Sequence, residues 1–294
     1  MKEDQRSRGG RKIGARLHDL VQSPQELNRL DQVPELQTAQ LALSKVACEP
    51  ENGFTSDQLL RFRDALRNMK IDISALSCYI NPLSENFKQE QQKFCRYVDY
   101  AGIMGVGVVA TETGTAVSDL QQFRQNHTEE IFLRVINRLV PIVEYASERG
   151  VRVGIESVVF HPVCDARRFR QMKDYFGNKI CSVFDPVNLL YSGNWLEQER
   201  IFENFIAEHA ADIRIVHLKD FSAEGVWTER PLFEGEMNVN RLLELFERYG
   251  VYADLIIENA RGIGNYRLIA QNLELLIGSV GSGVSAGKSR EGNI

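Results

Sequence analysis

Eight short runs of apolar, mostly β-branched residues recur along this chain, separated by longer stretches of helical periodicity. The runs are Ile13–Leu17, Thr38–Leu43, Ile71–Ser77, Gly105–Thr111, Arg152–Ser157, Ile180–Phe184, Ile213–Leu218 and Asp254–Glu258. A strand with one wet face alternates apolar and polar side chains, whereas a strand covered on both faces reads as a near-continuous apolar run. Runs of the second kind, each followed by a helix, point to parallel strands joined by helical crossovers. After Thr128, Glu129 and Glu130 occupy a first helical turn, where acids suit the dipole. Ile131, Phe132, Val135, Ile136, Leu139, Val140 and Val143 follow at helical spacing, and Gly150 ends the element. Ser56 starts a second helix through Met69, and Asn238 or Asn240 caps a third that ends at Gly250. The segments Glu148–Glu156 and Glu247–Glu258 share one grammar: a helix closing on Gly, a strand, then Glu at the strand's end.

Eight such units within residues 13–277 predict a single closed (β/α)8 barrel, an α/β domain of the ~250-residue size usual for that architecture. An open doubly wound sheet would carry a Gly-rich phosphate loop after its first strand. Here Arg16-Leu-His-Asp-Leu follows instead, and no G-x-x-x-x-G-K-[ST] occurs, so nucleotide binding has no motif behind it. Residues 1–12 read as a polar, basic tail and residues 278–294 as a Gly/Ser-rich one. Such compositions bury too little apolar surface to offset ordering entropy, so both ends are expected to be mobile.

The chain has 294 residues and a net charge of −5, which speaks against a general nucleic-acid binder. No apolar run approaches the ~18 residues of a membrane span, and no apolar segment follows the N-terminal charges as in a secretory signal. Cys48, Cys78, Cys95, Cys164 and Cys181 are odd in number and form no C-x-x-C, as expected of reduced thiols in a cytoplasmic protein.

In a barrel, chemistry collects at the C-terminal ends of the strands. The fifth strand ends at Glu156, the sixth leads to Asp185, the seventh holds His217, and the eighth ends at Glu258. Three carboxylates turned into one mouth repel each other and lose hydration, and a divalent cation resolves both problems. Three carboxylates and one imidazole form a hard O/N donor set. It suits Mn²⁺ first, then Mg²⁺ or Co²⁺, with Zn²⁺ less favoured.

The segments Gly154-Ile-Glu156, Phe184-Asp-Pro-Val-Asn-Leu189, Val216-His-Leu-Lys-Asp220 and Ile256-Ile-Glu258 resemble the xylose isomerase-like TIM barrels. The similarity is closest to their sugar phosphate isomerase/epimerase branch, which Thr111-Glu-Thr-Gly114 also resembles, and it runs from Ile13 to Ile277. It implies one divalent metal held by Glu156, Asp185, His217 and Glu258, with Glu156 and Glu258 also acting as the acid/base pair. The implied substrate is a sugar or related polyol ketone, and the implied assembly a homo-oligomer. Sugar 3-epimerases of this group carry His three residues after the Asp ligand and Arg beyond the His ligand. This chain has Asn188 and Lys219 with Asp220 there, which puts a simple free ketose in doubt.

Asn188 and Lys219 are candidates for substrate hydroxyls, and Lys219 for an acidic or phosphorylated substrate; Lys219 could equally pair with Asp220 or Glu112. Glu112 and His161 are further substrate-binding candidates, with Arg16 and His18 at the first strand's end. Trp195, Trp227 and the stretch 227–237 are candidates for a cover over the mouth, while Cys78 and Tyr79 carry no signal. Two alternatives stay open: a lyase of the keto-inositol dehydratase type, and a sugar-binding barrel without catalysis. A three-zinc phosphodiesterase is disfavoured, because the chain has only five histidines and Asn188 replaces one that such a cluster needs.

Overall fold

The computed structural model describes residues 11–47, 49–119 and 121–288. The barrel strands are β1 (Ile13–Arg16), β2 (Thr38–Leu41), β3 (Asp72–Ser77), β4 (Val108–Thr111), β5 (Arg152–Glu156), β6 (Ile180–Phe184) and β7 (Ile213–Leu218). A small antiparallel hairpin follows, β8 (Asp220–Ser222) with β9 (Thr228–Arg230), and then β10 (Asp254–Ile257) closes the barrel. The closed order is β1-β10-β7-β6-β5-β4-β3-β2, and every barrel pairing is parallel. The eight expected strands are therefore all present. The chain is a single (β/α)8 barrel.

Outside lie α1 (Leu43–Val46), α2 (Ser56–Asn68), α3 (Phe87–Met104), α4 (Glu129–Glu148), α5 (Ala166–Phe176), α6 (Gln198–His209), α7 (Val239–Tyr249) and α8 (Ile263–Lys288). Between β1 and β2 a 3-10 run, Pro24–Gln32, replaces the usual crossover helix. The caps follow from residue chemistry. Thr55 and Gln58 form a reciprocal capping box on α2, while Thr128 caps α4 and Asn238 caps α7. The inner stripe of α4 buries Phe132, Val135, Ile136, Leu139, Ile142 and Val143, each contributing about 1.5–3 kcal/mol.

Two boundaries differ from expectation. Arg11 and Lys12 belong to the barrel: Arg11 pairs with Glu247 and donates to Val251 O at 2.9 Å, and Lys12 O accepts from Leu255 N at 2.8 Å. At the other end α8 continues past Ile277 to Lys288, since extending an existing helix costs far less than starting one. Residues 1–10 and 289–294, with Cys48 and Leu120, lie outside the described residues. Cys78, Cys95, Cys164 and Cys181 form no disulfide. No helix among the described residues is long and apolar enough to cross a membrane.

The core has two parts. Ile13, Ala15, Ala39, Leu41, Val109, Ile155, Val216 and Leu255 turn outward into the large cluster shared with the helices. Ala75, Val108, Ala110, Cys181, Val183, Ile215 and Ile256 form a separate plug inside the barrel. Gly154 belongs to the inner set, for a Cβ there would meet Val108 at 2.9 Å and Val183 at 3.0 Å.

Candidate metal centre and active site

Side chains on a strand alternate faces, so the residue two beyond an inward position also faces inward. Two residues beyond Gly14, Thr38, Ala75, Ala110, Gly154, Val183, Ile215 and Ile256 stand Arg16, Gln40, Ser77, Glu112, Glu156, Asp185, His217 and Glu258. An all-polar ring thus caps the apolar plug at the C-terminal mouth.

His217 is the hub. Its Nε2 lies 2.7 Å from Gln40 Oε1, and Gln40 in turn donates Nε2 to Ser77 Oγ at 2.9 Å. That orientation leaves Gln40 Oε1 to accept, so Nε2 carries a proton and Nδ1 is the nitrogen turned to the mouth. Nδ1 there faces Glu258 Oε1 at 3.2 Å, Glu156 Oε2 at 3.5 Å and Asp185 Oδ2 at 3.9 Å. Acceptors facing acceptors need a proton or a cation between them. Among the described residues His217 Nδ1 is buried with no hydrogen-bond partner, and the equally buried Asp185 Oδ2 has only the Lys219 ammonium beside it, at 3.1 Å. Ligating atoms of Glu156, Asp185 and His217 all lie within 4.8 Å of one another. The donor set and the unpartnered His217 Nδ1 fit a divalent ion.

Around this group the remaining charges are paired. Lys219, 4% exposed, places Nζ 3.1 Å from Asp185 Oδ2, 3.5 Å from Glu258 Oε2 and 3.0 Å from Asn188 Oδ1. It also reaches out to Glu229 on β9 at 2.7 Å. Its partners are therefore neither Asp220 nor Glu112. Asp220 instead accepts from the backbone N–H groups of Phe221, Gly235 and Met237 and ties down the hairpin. Arg16 Nη1 pairs with Glu258 Oε1 at 3.2 Å. Asn188 Nδ2 donates to Glu156 Oε1 at 2.6 Å, and Tyr79 OH to Glu156 Oε2 at 3.0 Å.

Burial pushes the Glu258 carboxyl up, but His217, Lys219 and Arg16 outweigh it and hold it at about 2. Burial likewise raises Glu156, and His217 brings it below the ordinary value. Asp185 is pushed up to about 6 by burial, against the pull of Lys219. His217 is lowered by burial and raised further by Glu258 and Glu156, to about 9, so without an ion Nδ1 binds a proton. Burial and Glu156 raise Glu112 to about 8, although 34% of its side chain meets solvent and tempers the effect.

Glu156, Asp185, His217, Glu258, Asn188 and Lys219 thus form one connected group. Glu112 and His161 sit to one side, with Oε2 and Nδ1 3.9 Å apart, and burial lowers His161 to about 4. Both tryptophans pack on Phe221: Trp227 stacks at 4.6 Å and Trp195 meets it edge-on at 6.1 Å. Gln40, Ser77, Tyr79 and Glu229 join the group without having been singled out. The first three are neutral and carry no charge signal. Glu229 arrives on a hairpin that no βα pattern announces.

The model of the xylose isomerase-like TIM barrel family matches residues 40–276, and the chain belongs to that family. Among solved structures, a D-tagatose 3-epimerase-like protein superposes with a TM-score of 0.72 at 18% identity, covering 93% of this chain and 99% of its own. The mannonate dehydratase of Streptococcus suis gives 0.70 at 12% identity, covering 94% and 95%. A xylose isomerase-like barrel from Mycobacterium smegmatis, solved in complex with magnesium, gives 0.65 at 16%, covering 92% and 97%. At these identities the likeness is one of fold. Comparison with curated proteins found no match.

Proposed function

We propose that this chain is a divalent-metal-dependent isomerase or epimerase acting on a ketose or related polyol ketone. The observation that carries the reading is His217 Nδ1, turned by Gln40 toward Glu156, Asp185 and Glu258 with no partner of its own. Glu156, Asp185, His217 and Glu258 would hold the ion, Mn²⁺ by preference. When bound, it would supply the positive charge that stabilises an enediolate as the carbon-bound proton leaves. Glu156 and Glu258 act as the acid/base pair, one removing the carbon-bound proton and the other, carrying a proton of its own, delivering that one to the opposite face. Tyr79 and Asn188 fix both oxygens of Glu156, and Arg16 and Lys219 keep Glu258 ionised. Asn188, Lys219, Glu112 and His161 are the proposed substrate contacts.

A second reading, a dehydratase, draws on Glu112, whose raised pKa of about 8 supplies an acid for a departing hydroxyl. Elemental analysis after Mn²⁺ loading and dialysis tests the site: about one ion per chain is expected in the wild type and none in Asp185→Asn. Exchange of a ketone's α-proton with solvent deuterium tests the chemistry. Glu258→Gln is expected to lower turnover by about 10²–10⁴-fold with the fold retained. A product with conjugated carbonyl absorbance selects the dehydratase. A loaded protein that never exchanges the α-proton leaves a binding barrel.

A further inference from the structure

Lys219 has a partner that the metal centre does not require. Glu229 comes from the hairpin outside the barrel, and 45% of its side chain is exposed. One of its oxygens meets Lys219 Nζ at 2.7 Å, and the other accepts from Asn259 Nδ2 at 3.2 Å. Asn259 is held in turn: its Oδ1 accepts from Arg16 Nη2 at 3.1 Å, and its N–H donates to Asp19 Oδ2 at 2.9 Å. Its φ of 57° lies in the left-handed region that Asn tolerates better than most residues. Lys219 and Asn259 together make a cradle for the two oxygens of one carboxylate. A chain carboxylate fills it, held by a hairpin paired at three positions whose tip residue Val226 is 82% exposed.

We propose that this cradle is a substrate subsite for the carboxylate of a polyhydroxy keto acid, and that Glu229 is its resident occupant, displaced when substrate binds. The inference deepens the isomerase reading by naming the substrate class, and it rests on that reading only for the chemistry. Lys219 is an ammonium 3.1 Å from Asp185, so an acid bound there lies beside the metal-centre carboxylates. A neutral sugar would leave the Lys219–Glu229 pair intact and gain nothing from it. Glu229 is a specificity-determining residue: Lys219 already faces Asp185 and Glu258, and Glu229 holds its outward side against weak anions. Apparent affinity for an acid is the intrinsic affinity reduced by the fraction of molecules with the cradle open.

The test is binding to the Mn²⁺-loaded full chain, measured by calorimetry, with D-gluconate, neutral D-glucitol and D-glucitol 6-phosphate as probes. Gluconate is expected to bind the wild type more tightly than glucitol. Glu229→Gln is expected to tighten gluconate by about tenfold and leave glucitol unchanged. Lys219→Gln is expected to abolish the preference for gluconate; should that variant fail to fold, the exposed Glu229→Gln decides alone. Equal binding of gluconate and glucitol, or no gain in Glu229→Gln, overturns the proposal. A gain confined to the 6-phosphate overturns the carboxylate assignment and gives the cradle to a phosphoryl group. None of these readouts needs turnover, so failure of α-proton exchange is a separate result.

Discussion

The arrangement of charged groups at the mouth depends on neutral side chains that look unremarkable in the sequence. Glu156, Asp185, His217 and Glu258 were legible because charged groups at the ends of apolar strands demand an explanation. Gln40 and Ser77 were not, since an amide or hydroxyl in a strand is common and satisfied in many ways. Yet the Gln40 Oε1 contact with His217 Nε2, at 2.7 Å, decides which ring nitrogen faces the carboxylates. Gln40→Leu would remove that acceptor and leave a buried N–H unsatisfied. Mn²⁺ binding is expected to weaken about ten- to hundredfold, read by calorimetry, with the fold intact by circular dichroism. Unchanged affinity would mean that another group orients the ring.

At the scale of elements, the βα pattern announced the barrel but not its additions. The β8–β9 hairpin interrupts the path from β7 to β10, and its short strands carry no alternation long enough to read. It is set by Asp220, whose carboxylate gathers three backbone N–H groups, and by the close approach of Gly235. A Cβ on Gly235 would collide with Phe221 O and the Asp220 carboxylate. Gly235→Ala is therefore expected to cost about 1–3 kcal/mol in urea unfolding and to loosen Glu229 from Lys219. The 3-10 run at Pro24–Gln32 escaped notice for a related reason: its pattern is too short to separate from a loop. The length of α8 escaped because Gly and Ser weaken a helix without ending it when the preceding turns are packed.

For the whole molecule, the proposed ion, the His217 proton and the fold would be linked. In the metal-free protein His217 has its pKa raised from 6.5 to about 9. Its proton therefore stabilises the metal-free fold fully below pH 6.5, and that contribution is lost as pH rises through 9. An ion must displace this proton, so binding gains what the metal-free state loses. Apparent Mn²⁺ affinity is expected to rise about tenfold per pH unit between roughly 6.5 and 8.5, where one proton is released per ion. Calorimetry in buffers of different ionisation enthalpy counts that proton directly. A pH-independent affinity would show that Nδ1 is not a ligand.

The pairing of β1 with β10 brings Arg16 to Glu258 and Asn259 across more than two hundred residues of sequence. A nascent chain that still lacks its eighth barrel strand has neither the closed wall nor the carboxylate that Arg16 and His217 engage. A cation drawn to this mouth would then find three of its proposed ligands on or just beyond β5–β7 early and the fourth only in the finished ring, so that full grip comes with closure, as a late inspector of assembly.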